Sequence, residues 1–256
     1  MSLLAKISES YRRKLFPKIS HIRGATRLHL VLESLAMRSI TTKDSEGYRT
    51  KEFNFKMSDR EDLRYILREK DIIAEIVNEL NEESIFADIG AYHGFFTLLA
   101  NTISNQQIYS FEMNTENFKE LEKNVELNEN KEKINLENKA VWSSNQKLNY
   151  NKQESQSSVG SGESEIQSVK LDSYFKDKQN PDVIKLDTEG AELQILKGAK
   201  QIHEAGETKW FIEIHEKDYY ELSDYSKKDL KQFLKQNGYK ISKVSKDGKR
   251  EFILAR

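Results

Sequence analysis

The stretch that decides the fold is SIFADIGAYHGFFT, residues 84–97. The apolar run from Ser84 to Asp88 predicts a β-strand, and the apolar residues from Phe95 onward predict a helix that follows it directly. Gly90 and Gly94 stand in the turn between them, where a residue without a side chain lets the backbone bend and a ligand approach the helix N-terminus. The stretch therefore predicts a ligand site at this strand-to-helix turn.

The residue types in the turn discriminate between ligands. Dinucleotide sites usually carry Gly-x-Gly-x-x-Gly, and triphosphate sites end in Gly-Lys-Ser/Thr, because both ligands present phosphates to backbone N–H groups. Residues 88–94 have neither pattern, and Asp88 would repel a phosphate. An acid with two glycines four residues apart suits a cationic or zwitterionic ligand, such as the amino-acid part of S-adenosylmethionine. The alternative is a plain strand-to-helix turn whose glycines serve packing.

Beyond this unit, short apolar strands alternate with helical segments, which predicts βαβ units and a mostly parallel sheet. Further strands are predicted at 107–111, 134–141, 182–187 and 210–215, and helices at 95–103, 115–128, 191–204 and 226–236. Residues 239–255 predict an antiparallel hairpin. The Ser-, Gln- and Gly-rich residues 149–165 show no apolar period and are predicted to form a loop or flexible insertion.

Residues 1–83 carry no comparable motif, and we interpret them as an accessory segment ahead of a catalytic domain at 84–256. Their pattern predicts short helices before residue 40, a β-hairpin within 40–57 that turns near Gly47, and a helix over 59–81. We expect this segment to cover the substrate side of the site.

Acidic side chains end two more of the predicted strands. Glu112 follows the strand beside the first one, where a carboxylate can accept hydrogen bonds from both hydroxyls of a ribose. Its alternative role is to cap the next helix. Asp187 ends the strand at 182–187, and Glu189 opens the helix that follows. Glu192, one turn further on, can serve as an acid that caps the helix start.

The strand at 210–215 ends in Glu213 and His215, which project to one face because strand side chains alternate. A histidine at this place can act as a general base or a metal ligand, or can be an ordinary polar residue with satisfied hydrogen bonds.

The order and spacing of these motifs over residues 84–216 resemble the FkbM family of S-adenosylmethionine-dependent methyltransferases. The most family-specific block is Lys-Leu-Asp-Thr-Glu-Gly-Ala-Glu, residues 185–192. Other matching pieces are residues 86–97, Phe111-Glu112 with Asn117, Leu121, Asn124 and Asn128, then 138–141, 169–172, 196–199 and 212–215. The resemblance implies an α/β class I methyltransferase (Rossmann-like) fold, with a seven-stranded, mostly parallel sheet and an antiparallel C-terminal hairpin.

The resemblance also implies S-adenosyl-L-methionine as the cofactor and assigns residues to each part of it. Asp88, Gly90, Tyr92 and Gly94 would hold the methionine part, Glu112 the ribose, and Asn138 to Ala140 the adenine edge. Tyr92 stands where family members often carry Asn.

The expected reaction is O-methylation of a hydroxyl or carboxyl group on a sugar, a glycan or a related small acceptor. Asp187 or His215 would act as the base, and Glu189 and Glu213 would orient the acceptor or a divalent cation. A Mg²⁺ or Mn²⁺ ion on these four residues is an alternative that we do not favour. A second alternative is an NAD-dependent oxidoreductase, against which the missing Gly-x-Gly-x-x-Gly counts heavily.

Charge and cysteine content narrow the class of protein further. The chain has no cysteine, which excludes disulfides and cysteine nucleophiles and fits a reducing cytoplasm. Residues 1–30 carry a net charge of +6, so the remainder of this −1 chain carries −7. A basic N-terminus can contact an anionic membrane or a partner, which leaves a non-enzymatic membrane-surface module as a third alternative. We expect a cytoplasmic protein, and peripheral contact at the inner membrane surface through the basic N-terminus is left as an open alternative. No nucleic-acid partner is expected, because aromatic residues do not alternate with the basic ones.

Overall fold

The computed structural model describes residues 35–50, 53–151, 157–160, 162–214, 225–247 and 250–256. In chain order the strands are β1 (Thr41–Lys43), β2 (Tyr48–Thr50), β3 (Lys56–Met57), β4 (Phe86–Ile89), β5 (Ile108–Phe111), β6 (Ile134–Glu137), β7 (Ala140–Val141), β8 (Lys147–Asn151), β9 (Ser158–Val159), β10 (Ser164–Val169), β11 (Val183–Leu186), β12 (Lys209–Ile214), β13 (Ile241–Asp247) and β14 (Arg250–Ala255). The helices are α1 (Tyr65–Arg68), α2 (Lys70–Glu79), α3 (Phe95–Asn101), α4 (Thr115–Glu126), α5 (Leu171–Tyr174), α6 (Glu192–Lys197), α7 (Lys200–Ala205) and α8 (Lys227–Gln236).

A seven-stranded sheet in the order β13-β14-β12-β11-β4-β5-β6 forms the centre of the molecule. The five strands from β12 to β6 are mutually parallel, and β14 runs antiparallel to both of its neighbours. The predicted α/β fold, a mostly parallel seven-stranded sheet with an antiparallel C-terminal hairpin, is confirmed.

The sheet is buried on both faces because its strand residues alternate between two apolar cores. Phe86 packs into one core, and Ala87 and Ile89 pack into the other. Residues of the accessory segment, among them Met37 and Phe55, belong to the same core as Phe86. The described part of the accessory segment is therefore packed on the central sheet.

The predicted hairpin within 40–57 is confirmed and gains a third strand, since β1, β2 and β3 form one antiparallel sheet. Its first turn is fixed by Asp44, whose Oδ1 accepts hydrogen bonds from the backbone N–H groups of Glu46 and Gly47. The helix predicted over 59–81 is divided into a 3₁₀ turn at Glu61–Arg64 followed by α1 and α2. Residues 1–34, which contain most of the predicted early helices and the basic N-terminus, lie outside the described residues.

The prediction of a loop or flexible insertion at 149–165 was wrong at both of its ends. Strand β8 pairs antiparallel with β10 and β9, and β10 pairs parallel with β7, which gives a second sheet of four strands. Leu148 and Tyr150 are the alternating buried residues of β8, and the polar residues around them hide this period. Residues 152–156 and 161 lie outside the described residues.

Two predicted elements are each divided in two. The strand predicted at 134–141 ends at Glu137, and Ala140 and Val141 join the second sheet instead. The helix predicted at 191–204 is interrupted at Gly198, where a Cβ atom would lie 2.5 Å from the carbonyl oxygen of Trp142. Only glycine allows that close approach, so the chain bends there. In the part of the chain that the structure describes, no helix is both long and apolar enough to cross a membrane.

Candidate functional site

A cavity of about 450 Å³ lies at the carboxyl ends of β4, β5, β11 and β12. This edge of a parallel sheet is where open α/β folds bind ligands. The accessory segment forms the wall that faces the strand ends. From the sheet side the cavity is lined by Gly90, Tyr92, Glu112, Met113, Lys139, Ala140, Val141, Lys185, Asp187, Thr188, Glu189 and Glu213. From the accessory segment it is lined by Glu61, Asp62, Arg64, Tyr65, Arg68 and Glu69.

The loop of residues 90–94, called the glycine loop below, is tightly held between neighbouring strands. Gly90 has a φ of 79°, and a Cβ atom there would lie 1.9 Å from the carbonyl oxygen of Asp187. The N–H groups of Gly90 and Ala91 both donate to the carbonyl oxygen of Phe111, each at 3.0 Å. Gly94 has a φ of 90° and lies outside the cavity wall, against Leu121. The two glycines thus serve close packing, and Gly90 also borders the cavity.

Glu112 is a buried carboxylate in the cavity wall, at the end of β5. Its Oε2 accepts a hydrogen bond from the N–H of Tyr92 at 2.9 Å, and its Oε1 accepts one from the N–H of Asn114 at 2.7 Å. Burial raises the pKa of Glu112, and these two hydrogen bonds oppose that shift. Since each carboxylate oxygen has two acceptor positions, Glu112 can also accept hydrogen bonds from a diol.

Asp88 lies behind the cavity wall and is fully buried. It accepts a hydrogen bond from Oγ1 of Thr97 at 2.8 Å, and its Oδ1 lies 3.6 Å from Nζ of Lys185. Burial raises the pKa of Asp88, and the charge of Lys185 opposes that shift. Its predicted contact with the methionine part stays a prediction, while the structure gives it a hydrogen bond from Thr97 and an ion pair with Lys185.

Lys185 brings together carboxylates from several elements. Its Nζ lies 3.5 Å from Oδ2 of Asp187, and 5.0 Å from the centre of the Phe96 ring. Burial acts to lower the pKa of Lys185, but the surrounding carboxylates outweigh burial and raise it. In order of effect these carboxylates belong to Asp187, Asp88, Glu69 and Glu213. Lys185 is therefore a buried ammonium group held in its charged form.

Tyr65 lies in the opposite wall of the cavity, close to the same carboxylates. Partial burial raises the pKa of its phenol, and neighbouring negative charges raise that pKa further. Those charges include Glu69, Asp187 and Glu213, which also surround Lys185 and all line the cavity. We call these three residues the acidic cluster.

The sequence predicted two members of the acidic cluster, Asp187 and Glu213, and missed Glu69. The signal for Glu69 was its position three residues after Ile66 and four before Ile73, which places it on the buried face of a helical pattern. A charged residue on such a face is rarely buried unless it has partners.

The other predicted residues fall into different places. Glu189 lines the cavity and adopts a positive φ of 54°, beside the acidic cluster. Ala140 lines the cavity, whereas Asn138 lies outside its wall and donates a hydrogen bond to the carbonyl oxygen of Glu112 at 2.8 Å. Asn138 thus shapes the turn that presents Ala140. His215 lies outside the described residues.

Glu192 lies in the first turn of α6, as predicted for an acid at a helix start, but its side chain bonds to residues outside the helix. Its Oε1 accepts a hydrogen bond from the N–H of Gly190 at 3.1 Å, and its Oε2 accepts one from the hydroxyl of Tyr225. As regards metals, no group of three or more His, Asp or Glu side chains among the described residues is arranged to hold an ion.

Asn124 on α4 and Asn128, two residues after its end, fix the accessory segment over the cavity. Asn128 accepts a hydrogen bond from the N–H of Lys56 at 2.7 Å and donates one to its carbonyl oxygen at 2.9 Å. Asn124 accepts one from the N–H of Ser58 at 2.7 Å and donates one to the carbonyl oxygen of His93 at 2.8 Å. The segment and the glycine loop are therefore held by the same helix.

Comparison with known proteins agrees with this architecture. Residues 88–241 match the model of the Methyltransferase FkbM domain. No curated protein matches the chain by sequence. A crystal structure of Methyltransferase FkbM from Methylobacillus flagellatus KT superposes with a TM-score of 0.54 at 14% identity, over 91% of this chain and 60% of that chain. The present chain thus spans less than two thirds of that protein.

Two other solved structures are similar at a lower level. A precorrin-6y C5,15-methyltransferase from Geobacter metallireducens GS-15 has a TM-score of 0.47 at 13% identity, over 72% of this chain and 86% of that chain. M. capricolum TrmK, solved with S-adenosyl-homocysteine, has a TM-score of 0.43 at 18% identity, over 72% of this chain and 66% of that chain.

Proposed function

The chain belongs to the FkbM methyltransferase family, and from that premise we propose that it is an S-adenosylmethionine-dependent O-methyltransferase. The observation that carries the proposal is a single cavity that holds both Glu112 and the acidic cluster. One end of this cavity suits a nucleoside and the other suits a hydroxyl group that must lose a proton.

The residues of the cavity fit S-adenosylmethionine. Glu112 retains acceptor positions for the two ribose hydroxyls, and Ala140 and Val141 offer an apolar surface for the adenine ring. A cavity of about 450 Å³ is within the usual range for small-molecule sites. When bound, the cofactor supplies an electrophilic methyl group on a positively charged sulfur.

The acidic cluster would supply the proton acceptor. In the proposed reaction, Asp187 takes the proton of the acceptor hydroxyl while the new oxygen–carbon bond forms and the carbon–sulfur bond breaks. Lys185 holds the Asp187 carboxylate from one side. Glu189 and Glu213 line the same cavity and would orient the acceptor by accepting hydrogen bonds from its other hydroxyls.

We propose a sugar, a glycan or a related hydroxylated molecule as the acceptor. Around the reacting end, carboxylates outnumber the cationic side chains, since Glu69, Asp187, Glu189 and Glu213 line the same cavity as Lys185. An excess of negative charge favours a neutral hydroxyl over a carboxylate as the methylated group.

Calorimetry and an acceptor screen test this proposal together. We expect the chain to bind S-adenosylmethionine, and Glu112→Gln to weaken that binding by about tenfold or more, as for loss of a hydrogen bond to a charged group. With methyl glycosides and uronic acids as acceptors, we expect S-adenosylhomocysteine to form with the neutral glycosides.

The matched control is Glu126→Gln, an exposed carboxylate on α4 that should leave cofactor binding unchanged. Binding of NADH without binding of S-adenosylmethionine would contradict the proposal. So would turnover with uronic acids alone, since that result would identify a carboxyl acceptor.

A further inference from the structure

Asp62 lies on the 3₁₀ turn of the accessory segment, in the cavity wall and beside the glycine loop. Its Oδ1 lies 2.7 Å from Nδ1 of His93, a residue of that loop. Its Oδ2 is buried and, within the described part of the chain, accepts no hydrogen bond. A buried carboxylate oxygen without a donor costs free energy, so we expect a ligand in the cavity to supply one.

The charges around Asp62 indicate which donor fits. The Asp62 side chain is only 8% exposed, and a carboxylate in such a place binds a cationic donor more strongly than a neutral one. Arg64 and Arg68, two and six residues further on, line the same cavity, and Arg64 also pairs with Glu61. Acidic and basic side chains on one short stretch of wall match a zwitterion, which carries an ammonium and a carboxylate group close together.

The position of Asp62 along the cavity indicates which part of the cofactor it faces. The N–H of Tyr92 donates to Glu112, so the glycine loop touches the carboxylate that is proposed to hold the ribose. His93 is the next residue and contacts Asp62. The acidic cluster, by contrast, surrounds Lys185. Asp62 thus lies where the amino-acid part, attached beyond the ribose, would meet the accessory segment.

Building on the proposed function, we infer that Asp62 is a cofactor-binding residue contributed by the accessory segment. Its Oδ2 accepts a hydrogen bond from the ammonium group of the methionine part. His93 holds the carboxylate in place through Oδ1, and Arg64 and Arg68 provide positive charge for the methionine carboxylate.

Titration calorimetry with three ligands tests this role without any methyl acceptor. The ligands are S-adenosylmethionine, S-adenosylhomocysteine and 5′-methylthioadenosine, which has no amino-acid part. Asp62→Asn keeps an oxygen for His93 but places an N–H donor where Oδ2 was. We expect its affinity for the first two ligands to fall roughly ten- to hundredfold, as for loss of a charged hydrogen bond. Its affinity for 5′-methylthioadenosine should not change, which also shows that the variant is folded.

Asp59→Asn is the matched control, because it removes the same charge three residues earlier. Asp59 is exposed, and its Oδ1, which accepts a hydrogen bond from the N–H of Glu61 at 2.9 Å, is kept in asparagine. All three affinities should stay unchanged in this control. Equal losses for all three ligands in Asp62→Asn, or no loss, would overturn the inference while leaving the proposed function standing. If the unaltered chain binds none of the ligands, the proposed function fails and this inference with it.

Discussion

Lys185 lies between the carboxylate of Asp88 on β4 and that of Asp187 just after β11, and it is almost completely buried. Of these two carboxylates, Asp88 depends more on Lys185 to stay ionised, because Asp88 is fully buried and does not line the cavity. An ionised carboxylate in such a place stays charged only while a cation and a hydrogen-bond donor are present. Lys185 therefore stabilises the fold at the same point where it holds Asp187 in the site.

Replacing Lys185 with methionine should destabilise the protein by about 3–5 kcal/mol at neutral pH, the usual cost of removing one partner of a buried ion pair. Burial already raises the pKa of Asp88, and loss of the ammonium group should raise it more. The raised pKa favours the protonated, uncharged form of Asp88. The loss of stability in Lys185→Met should therefore shrink as the pH falls through the new pKa of Asp88. Urea unfolding at pH 8 and pH 5.5 measures both effects.

Two further variants make this prediction specific. Adding Asp88→Asn to Lys185→Met should restore much of the lost stability, since no unpaired charge then remains. Lys209→Met removes a lysine that pairs with Glu79 at 2.8 Å but is 38% exposed, and it should cost no more than about 1 kcal/mol. A loss of stability in Lys185→Met that does not depend on pH would show that an unpaired Asp88 carboxylate is not its cause.

At the level of single residues, the sequence predicted the acids that end strands and missed those in the accessory segment. Asp187 and Glu112 were found because strand ends in a parallel sheet meet at one edge. Asp62 and Glu69 belong to a helical pattern that has no such rule, and only its packing onto the sheet brings them to the cavity. That packing depends on tertiary hydrogen bonds that a sequence period does not reveal.

The C-terminal end of helix α4 is joined to strand β3 and the residue after it by hydrogen bonds between side chains and backbone. Asn124 in the last turn of the helix and Asn128, two residues after its end, bond to the backbone of Ser58 and Lys56. Asn124 also bonds to the glycine loop. Both asparagines were part of the family resemblance, and the structure gives them a mechanical role.

Asn124→Ala should lower stability by about 1–3 kcal/mol, because partly buried backbone groups of Ser58 and His93 lose their partners. It should also weaken binding of S-adenosylmethionine, since residues 61–69 would be held less firmly against the cavity. Hydrogen exchange should show faster exchange in residues 56–69 than in β4. Glu122→Ala, on the exposed side of the same helix, should change none of these. Faster exchange throughout the chain, to the same extent in β4 as in residues 56–69, would contradict the prediction that Asn124 holds residues 56–69 locally.

Strand and helix order could be predicted well, and element ends could not. The apolar strands of the central sheet stand out because both of their faces are buried. Gly198 ends α6 for a reason that lies elsewhere in the chain, the carbonyl group of Trp142. Similarly, β8 and β10 gain their structure from pairing with each other, and their Ser- and Gln-rich composition favours a loop when read alone.

At the scale of the whole molecule, the accessory segment and the catalytic domain share one core. Met37, Phe55, Met57 and Leu63 pack in the same apolar cluster as Phe86 and Ile108 of the central sheet. The boundary that we predicted at residue 83 is a boundary between motifs, and the contacts across it are those of a single folding unit.

A chain limited to residues 84–256 should therefore lack a cooperative unfolding transition. It should bind the dye ANS, because the apolar residues that pack against the accessory segment would be exposed. A chain of residues 31–256 keeps every described residue and should unfold in one transition. Circular dichroism melts compare the two. A shortened chain that melts cooperatively near the same temperature would show that the sheet does not need the segment.

Strand β14 has a further consequence, for the order of events during folding. It lies between β12 and β13 although it follows both in the chain. One edge of β12 therefore stays open until residue 255 has been synthesised, and β13 has no place in the sheet before then. A growing chain that exposes the apolar strand β12 in this way is prone to pair with other chains. Strand β14, which follows the other six strands of this sheet in the chain, thus closes the sheet, and the yield of folded protein should depend on how quickly β14 is synthesised.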